Sequence, residues 1–288
     1  MTTPADALRT LLDKPGLLTM PCCFDPLSAK LIHQAGFPLT FMSGFAAAAA
    51  RLGLPDTGLL SYGEIVDQGR NICNAVSIPV IGDGDTGYGN ALNVKRTVQG
   101  FAGAGFAAIM IEDQVSPKRC GHVAGKAVVD RDEAFARIRA AVDARVEGAD
   151  ILILARTDAR HEHGLDEAIA RAARFAELGA DILFVEAPRD ADEMARVPAE
   201  LSKPCMANIV EGGLTPALAP ADLDAMGYKI AAYPLTLLAA AMQAMTDTLE
   251  AFKTGTPDEA ALMEFAELKR RIGFDAYFED EARYAPKR

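Results

Sequence analysis

Asp83 and Asp85 stand two residues apart in GDGDTGYGN (Gly82–Asn90), directly after the apolar run Ile78–Ile81. Glu112 and Asp113 close a second apolar run in IEDQ, and Glu186 closes a third in VEAP. Carboxylates gathered in one cleft repel one another unless a cation sits among them. An all-oxygen donor set suits Mg²⁺ or Mn²⁺ better than zinc. A DG pair among glycines is also what ordinary turns are made of. The recurrence of acids after other apolar runs shifts the balance toward a metal centre.

A second group lies in VSPKRCGHVAGKAVV (Val115–Val129), which places Lys118, Arg119, Cys120 and His122 within five positions. A cysteine beside cations gains thiolate character and can exchange a proton with a carbon acid. A polar, glycine-containing loop of this kind can also close over a substrate, although an arbitrary basic loop is more often simply solvated. The vicinal Cys22 and Cys23 sit in a strand-like run and read as small core hydrophobes. His161 and His163, in RHEHG, read as solvated loop residues, since a Mg²⁺ site prefers oxygen.

Short apolar runs recur at Leu17–Cys23, Leu39–Met42, Pro79–Ile81, Ala107–Ile111, Ile151–Ala155, Ile182–Val185, Cys205–Ala207 and Lys229–Tyr233. Helical patterns at Asn90–Ala104, Arg131–Arg145 and Leu165–Leu178 lie between them. Eight strands alternating with helices predict an α/β fold, a (β/α)8 barrel of about 250 residues. Gly36, Gly105, Gly179 and Gly227 each end a helix and precede a strand, and seven residues after each stand Ser43, Glu112, Glu186 and Pro234. Side chains from alternate strands share a layer, so these four are expected at one depth, at the C-terminal ends that carry a barrel's chemistry. The predicted division is a catalytic barrel over 1–255 and a helical extension over 256–288.

The formal net charge is −11 and the pI about 4.9, so nucleic acid is excluded as a partner on electrostatic grounds. The segment Met1–Ala7 lacks signal-peptide features. The most apolar stretch, Ile230–Met245, is short for a membrane span and contains Pro234. Five cysteines without a CxxC pair give neither a disulfide framework nor a zinc knuckle. The expectation is a soluble cytoplasmic protein with no membrane partner.

GDGDTGYGN, IEDQ, PKRCGH, ARTDA (Ala155–Ala159), VEAP and ANIVEGG (Ala207–Gly213) occur in this order. Together they resemble the isocitrate lyase and phosphoenolpyruvate mutase superfamily, over roughly residues 15 to 250. The resemblance implies a metal-dependent barrel acting on a bond beside an α-oxo or α-hydroxy carboxylate. By motif, Asp85 would be the principal Mg²⁺ ligand, with Mn²⁺ able to substitute, and Asp83 and Glu112 would hold the ion directly or through water. Ser43, Gly44 and Phe45 in MSGFA would donate to the substrate carboxylate and oxyanion, and Asp56, closing SGFAAAAARLGLPD, would border it. Arg156 would bind that carboxylate, and Glu186 and Asn208 would complete the polar cavity. Cys120 would protonate the carbanion, supported by Lys118 and His122. Arg156 could instead be a structural partner of neighbouring acids.

Among the superfamily's reactions, KRCGH favours a lyase cleaving a 2-hydroxy di- or tricarboxylate such as a 2-alkylmalate or methylisocitrate. A phosphonomutase is disfavoured by Cys120. An oxaloacetate hydrolase or decarboxylase is a further reading, because the SGFAAAAARLGLPD and ARTDAR stretches resemble plant and bacterial relatives with mixed alkylmalate lyase and oxaloacetate hydrolase activity, but hydrolase members tend to have serine where Pro234 stands. A barrel that binds a small acid without catalysis is disfavoured by the intact Asp85, Cys120 and Arg156. Phe45, Ala46–Ala50 and Pro234–Leu238 are expected to shape the side-group pocket. In the C-terminal extension, Leu262, Phe265, Ala266 and Leu268 or Ile272 repeat at helical spacing. That stripe, with the resemblance, implies a homotetramer built from dimers, its late helix packed against or swapped into a neighbour.

Overall fold

A computed structural model of the chain describes residues 2–119, 125, 127–256 and 259–285. Cys120 and His122 lie outside the described residues.

The apolar runs form eight parallel strands: β1 (Leu18–Cys23), β2 (Thr40–Met42), β3 (Val80–Asp83), β4 (Ala108–Glu112), β5 (Leu152–Thr157), β6 (Ile182–Val185), β7 (Met206–Asn208) and β8 (Ile230–Tyr233). Neighbours follow the order β6-β5-β4-β3-β2-β1-β8-β7, and a parallel bridge between Leu183 and Cys205 brings β6 to β7. The result is a nearly closed (β/α)8 barrel with helices between the strands, as predicted.

Strands β2 to β6 are buried on both faces, which explains why they read as continuous apolar runs rather than alternating ones. Inward-facing Met20, Phe41, Ile81, Met110, Leu154 and Phe184 fill the barrel, with Ala5 and Leu8 of the helix Pro4–Leu12 packed into the same cluster. Outward-facing residues, among them Cys23, Met42, Ile109, Ile153, Leu183 and Ala207, meet the helices. The alternation that separates these two sets also decides which strand-end side chains reach the interior.

Local signals fix where strands begin and helices stop. Asn90 caps the helix Ala91–Ala104 by accepting from the N–H groups of Leu92 and Asn93. Gly105 and Gly179 follow the helices Ala91–Ala104 and Leu165–Leu178 at φ 99° and 109°, a left-handed conformation that reverses the chain into the next strand.

The chain divides into two compact units, Met1–Leu238 and Ala239–Arg288. The second unit holds most of the helix Thr236–Thr254, a 3₁₀ turn at Glu259–Ala261, and the helices Phe265–Ile272 and Phe274–Tyr284, with Gly273 between the last two at φ 109°. The run that reads in sequence as one amphipathic stretch is therefore split. Its Leu262, Phe265, Leu268 and Ile272 are exposed, and so are Met242, Met245, Leu249 and Phe252 along the long helix. Among the described residues no helix is long and apolar enough to cross a membrane.

Candidate active site

The C-terminal strand ends surround a cavity. Asp83, Arg156, Glu186, Asn208 and Pro234 line it from β3, β5, β6, β7 and β8, and Ser43, Phe45, Asp56 and Lys118 from the connecting segments. Of the four residues that follow the helix-ending glycines, Ser43, Glu186 and Pro234 line the cavity, while Glu112 pairs with Arg156.

Arg156 is set by register. It lies opposite Glu112 on β4, so both side chains enter from adjacent strands at one level. Its Nε is 3.3 Å from Glu112 Oε2 and its Nη2 is 3.3 Å from Glu186 Oε2. Asp158, two residues on and fully buried, takes the guanidinium bidentately at 2.8 and 3.0 Å. Asp158 was missed in sequence, although the two-residue spacing in ARTDA places it on the same side as Arg156. Arg156 thus has the acidic partners of a structural arginine and also faces the cavity. Burial alone would depress its guanidinium, but Asp158, Glu186 and Glu112 hold it well above its ordinary value. It remains cationic at any working pH.

The paired aspartates are positioned by backbone. Asp83 Oδ1 accepts from the Asp85 N–H at 3.1 Å, and Asp83 Oδ2 accepts from the Gly44 N–H at 3.2 Å. A Cβ on Gly44 would lie 2.5 Å from that oxygen, so only glycine allows the approach. The expected substrate donor at Gly44 is therefore already engaged, and Ser43 Oγ caps its helix by accepting from the Ala46 N–H at 3.3 Å. Asp85 at φ 48° and Ala187, directly after Glu186, at φ 58° adopt the left-handed conformation that side chains rarely take. Such positions carry strain of about 1–3 kcal/mol and cluster at functional sites.

Lys118 is the largest departure from expectation. Expected in a lid beside Cys120, it has a side chain only 6% exposed, and its Nζ lies 2.6 Å from Asp56 Oδ2 and 2.9 Å from Asp85 Oδ1. Burial disfavours the ammonium, but Asp85, Asp83, Asp56 and Glu112 together hold it well above its usual value. A cation thus sits among the acids, as their mutual repulsion requires. Asp85 is pushed up to about 6 by burial, with Asp83 and Asp56 adding to the rise and Lys118 opposing it. Glu112 is raised well above the carboxylate range by burial, against the pull of Arg156, and its Oε1 is buried with no hydrogen-bond partner.

These features fit a hard divalent cation. The donors are oxygens, and one buried carboxylate oxygen is unsatisfied. Among the described residues no three His, Cys, Asp or Glu side chains form an all-protein cage. Mg²⁺ keeps several of its waters and uses one or two carboxylates, so it needs no such cage.

Asp113 is not part of this group. Alternation turns it to the outer side of β4, where it bonds Thr157 and Arg171. Cys22, read as core, is buried but also lines the cavity floor, and burial pushes its thiol well up. Phe184 and Met206 also line the cavity and carried no motif signal, whereas Arg119 and Val210 line it from within PKRCGH and ANIVEGG, and Leu235 from the stretch expected to shape the pocket.

The sequence profile of the phosphoenolpyruvate phosphomutase family matches residues 8–253. The chain belongs to that family. Within this family and its superfamily, the chain is 41% identical to a 2,3-dimethylmalate lyase of Eubacterium barkeri, with 99% of each chain covered. It overlays on oxaloacetate acetylhydrolase in complex with 3,3-difluorooxalacetate with a TM-score of 0.93, at 34% identity and covering 99% and 98% of the two chains. It overlays on phosphonopyruvate hydrolase bound to oxalate and Mg²⁺ with a TM-score of 0.87, at 32% identity and covering 98% and 99%. Proteins named for different substrates thus share this barrel.

Proposed function

We propose that the protein is a Mg²⁺-dependent carbon–carbon lyase that cleaves a 2-hydroxy di- or tricarboxylate of the 2-alkylmalate or 2-methylisocitrate type into an α-keto acid and a second carboxylate. The observation that carries this reading is the division of the cavity wall. Its charged side chains come from the strand ends and loops of β2 to β6, whereas β7 and β8 contribute Met206, Asn208, Val210, Ala232, Pro234 and Leu235, without a charge among them. Such a wall suits a molecule with carboxylates on one side and a hydrocarbon group on the other. The E. barkeri relative is named for a substrate of that description.

Arg156, held by Asp158, would clamp the carboxylate beside the bond that breaks. Asp85, with Asp83 and Glu112, would hold the divalent cation, as Mg²⁺ in a structural neighbour supports. When bound, the cation would acidify the C2 hydroxyl and balance the charge of the enolate dianion. The C2 hydroxyl gives its proton to water, the C2–C3 bond breaks, and its electron pair passes to C3 while C2 becomes the keto carbon. The thiol of Cys120 delivers a proton to C3, with His122 supporting it. Ser43, Phe45 and Asn208 orient the substrate, Glu186 braces Arg156, and Asp56 holds Lys118.

A second reading, hydrolysis of oxaloacetate, draws on the likeness to oxaloacetate acetylhydrolase. Against it, Pro234 faces the cavity with no hydroxyl to offer, and oxaloacetate leaves the apolar wall unfilled. A screen with Mg²⁺ against 2-alkylmalates, methylisocitrate, oxaloacetate and phosphonopyruvate separates these readings when both products are identified. The lyase reading expects turnover of a hydroxy acid. Turnover of phosphonopyruvate alone would replace it with carbon–phosphorus chemistry.

The exposed apolar side chains of the second unit support assembly with further copies of the chain, as a homotetramer built from dimers. Met242, Met245, Leu249 and Phe252 recur at helical spacing and are 55–62% exposed in the single chain. Truncation after Thr254 is expected to give smaller or aggregated species in light scattering. A monodisperse, active monomer of the full-length chain would refute the assembly. The four described cysteines are free, which supports placement in the reducing cytoplasm.

A further inference from the structure

Outside the cavity lies a buried polar chain that the proposed reaction does not use. Arg171, on the helix Leu165–Leu178, is 4% exposed, and its Nη1 donates to Asp113 Oδ2 at 3.0 Å and to the Val129 carbonyl at 2.8 Å. Its Nε donates to Glu167 at 2.8 Å. Asp113 is 2% exposed and spends both oxygens on the end of β5: Oδ2 accepts from Thr157 Oγ1 at 2.7 Å, and Oδ1 accepts from the Asp158 N–H at 2.9 Å. Asp158 is the residue that grips Arg156 bidentately. The links through Asp113 are short and withdrawn from water, where hydrogen bonds to ionised groups are strongest.

We propose that Asp113 and Arg171 are positioning residues for the Arg156 anchor, fixing the turn that carries Asp158 and thereby aiming the guanidinium at a substrate carboxylate. The geometry leaves Arg156 few other sources of orientation. Its remaining acidic contacts, Glu112 and Glu186, are longer, at 3.3 Å, and come from neighbouring strands. A guanidinium gripped in a two-point fork has a defined plane only if the fork itself is held. Asp113 does this through backbone and hydroxyl, and Arg171 completes the charge balance of Asp113. Arg171 also ties the same carboxylate to Val129, whose N–H donates to the Asp113 carbonyl at 2.9 Å.

The inference rests on Arg156 binding a carboxylate, so the test includes Arg156. Oxalate is the probe, titrated calorimetrically into the full-length protein with Mg²⁺, alongside kcat, KM and Tm. Arg171→Met is expected to raise the oxalate Kd and substrate KM about tenfold, the scale of losing an outer partner of a site residue. Arg171→Lys should restore part of the loss, and kcat per folded molecule should change little. Where Arg171→Met does not fold, Arg171→Lys and Asp113→Asn carry the test with the same expectation at smaller size. An unchanged oxalate Kd in folded variants, whatever the change in Tm, would show the pair to be structural only and overturn the proposal. If Arg156→Lys also leaves oxalate affinity unchanged, the carboxylate anchor itself is wrong. If Arg156→Lys weakens oxalate and the Arg171 and Asp113 variants do not, only the positioning role fails.

Discussion

Asp85→Ala is expected to lower turnover by about 10³-fold or more, beyond the loss of a single oxyanion donor, while the barrel stays folded. The reason lies in what surrounds Asp85. It is buried beside two other acids, so its ionised form is disfavoured in the metal-free fold and its carboxyl is pushed up to about 6. Removing it relieves repulsion, and Lys118 keeps its 2.6 Å contact with Asp56. The metal-free variant should therefore melt close to the parent in calorimetry. The same shift sets a pH dependence. The ionised carboxylate is the ligand and protonation removes it, so Mg²⁺ affinity should be full above about pH 6 and weaken below it, by about tenfold per pH unit. Chelation should abolish activity and Mg²⁺ or Mn²⁺ restore it. Full activity in excess chelator would remove the cation from the account.

Cys120→Ser should cost about 10²- to 10⁴-fold in lyase turnover, the range attributed to a positioned general acid. A serine hydroxyl is far less acidic than a thiol and cannot deliver a proton to an enolate carbon at comparable rate. In the proposed reaction Arg156 and its neighbours, rather than the thiol, meet the substrate and product carboxylates, so oxalate affinity should persist. The contrast between lost turnover and kept affinity identifies a proton donor. Normal turnover by the serine variant would favour a mutase or decarboxylase.

The barrel was legible because a strand buried on both faces leaves a compositional mark, as at Ile182–Val185, where sequence and structure agree on both ends. Elsewhere the apolar runs stop early. The run Pro79–Ile81 becomes β3 Val80–Asp83, and Ile151–Ala155 becomes β5 Leu152–Thr157, because these strands end in polar residues that an apolar run leaves out, of which Asp83 and Arg156 line the cavity. The glycines seven residues before Ser43, Glu112, Glu186 and Pro234 were a usable signal, since a left-handed helix end fixes the distance to the strand mouth. Less was legible where a side chain's destination depends on partners far along the chain. Lys118 reaches Asp56 across 62 positions and Gly44 reaches Asp83 across 39, neither encoded in local spacing. Asp113 illustrates the opposite error: counted with Glu112 as a carboxylate at the mouth, it points outward because successive strand residues alternate. The uncharged wall from β7 and β8 was only partly anticipated: Pro234–Leu238 was expected to shape the pocket, whereas Met206 and Ala232 look like ordinary core until the barrel closes.

The most direct test of the central claim is product analysis by NMR, in D₂O with Mg²⁺, of the full-length protein acting on 2,3-dimethylmalate or another 2-alkylmalate. The lyase account predicts an α-keto acid and a second carboxylate in equal amounts, the latter carrying one deuterium at the carbon that was C3. Oxalate and acetate formed from oxaloacetate, with every hydroxy acid left intact, would contradict it.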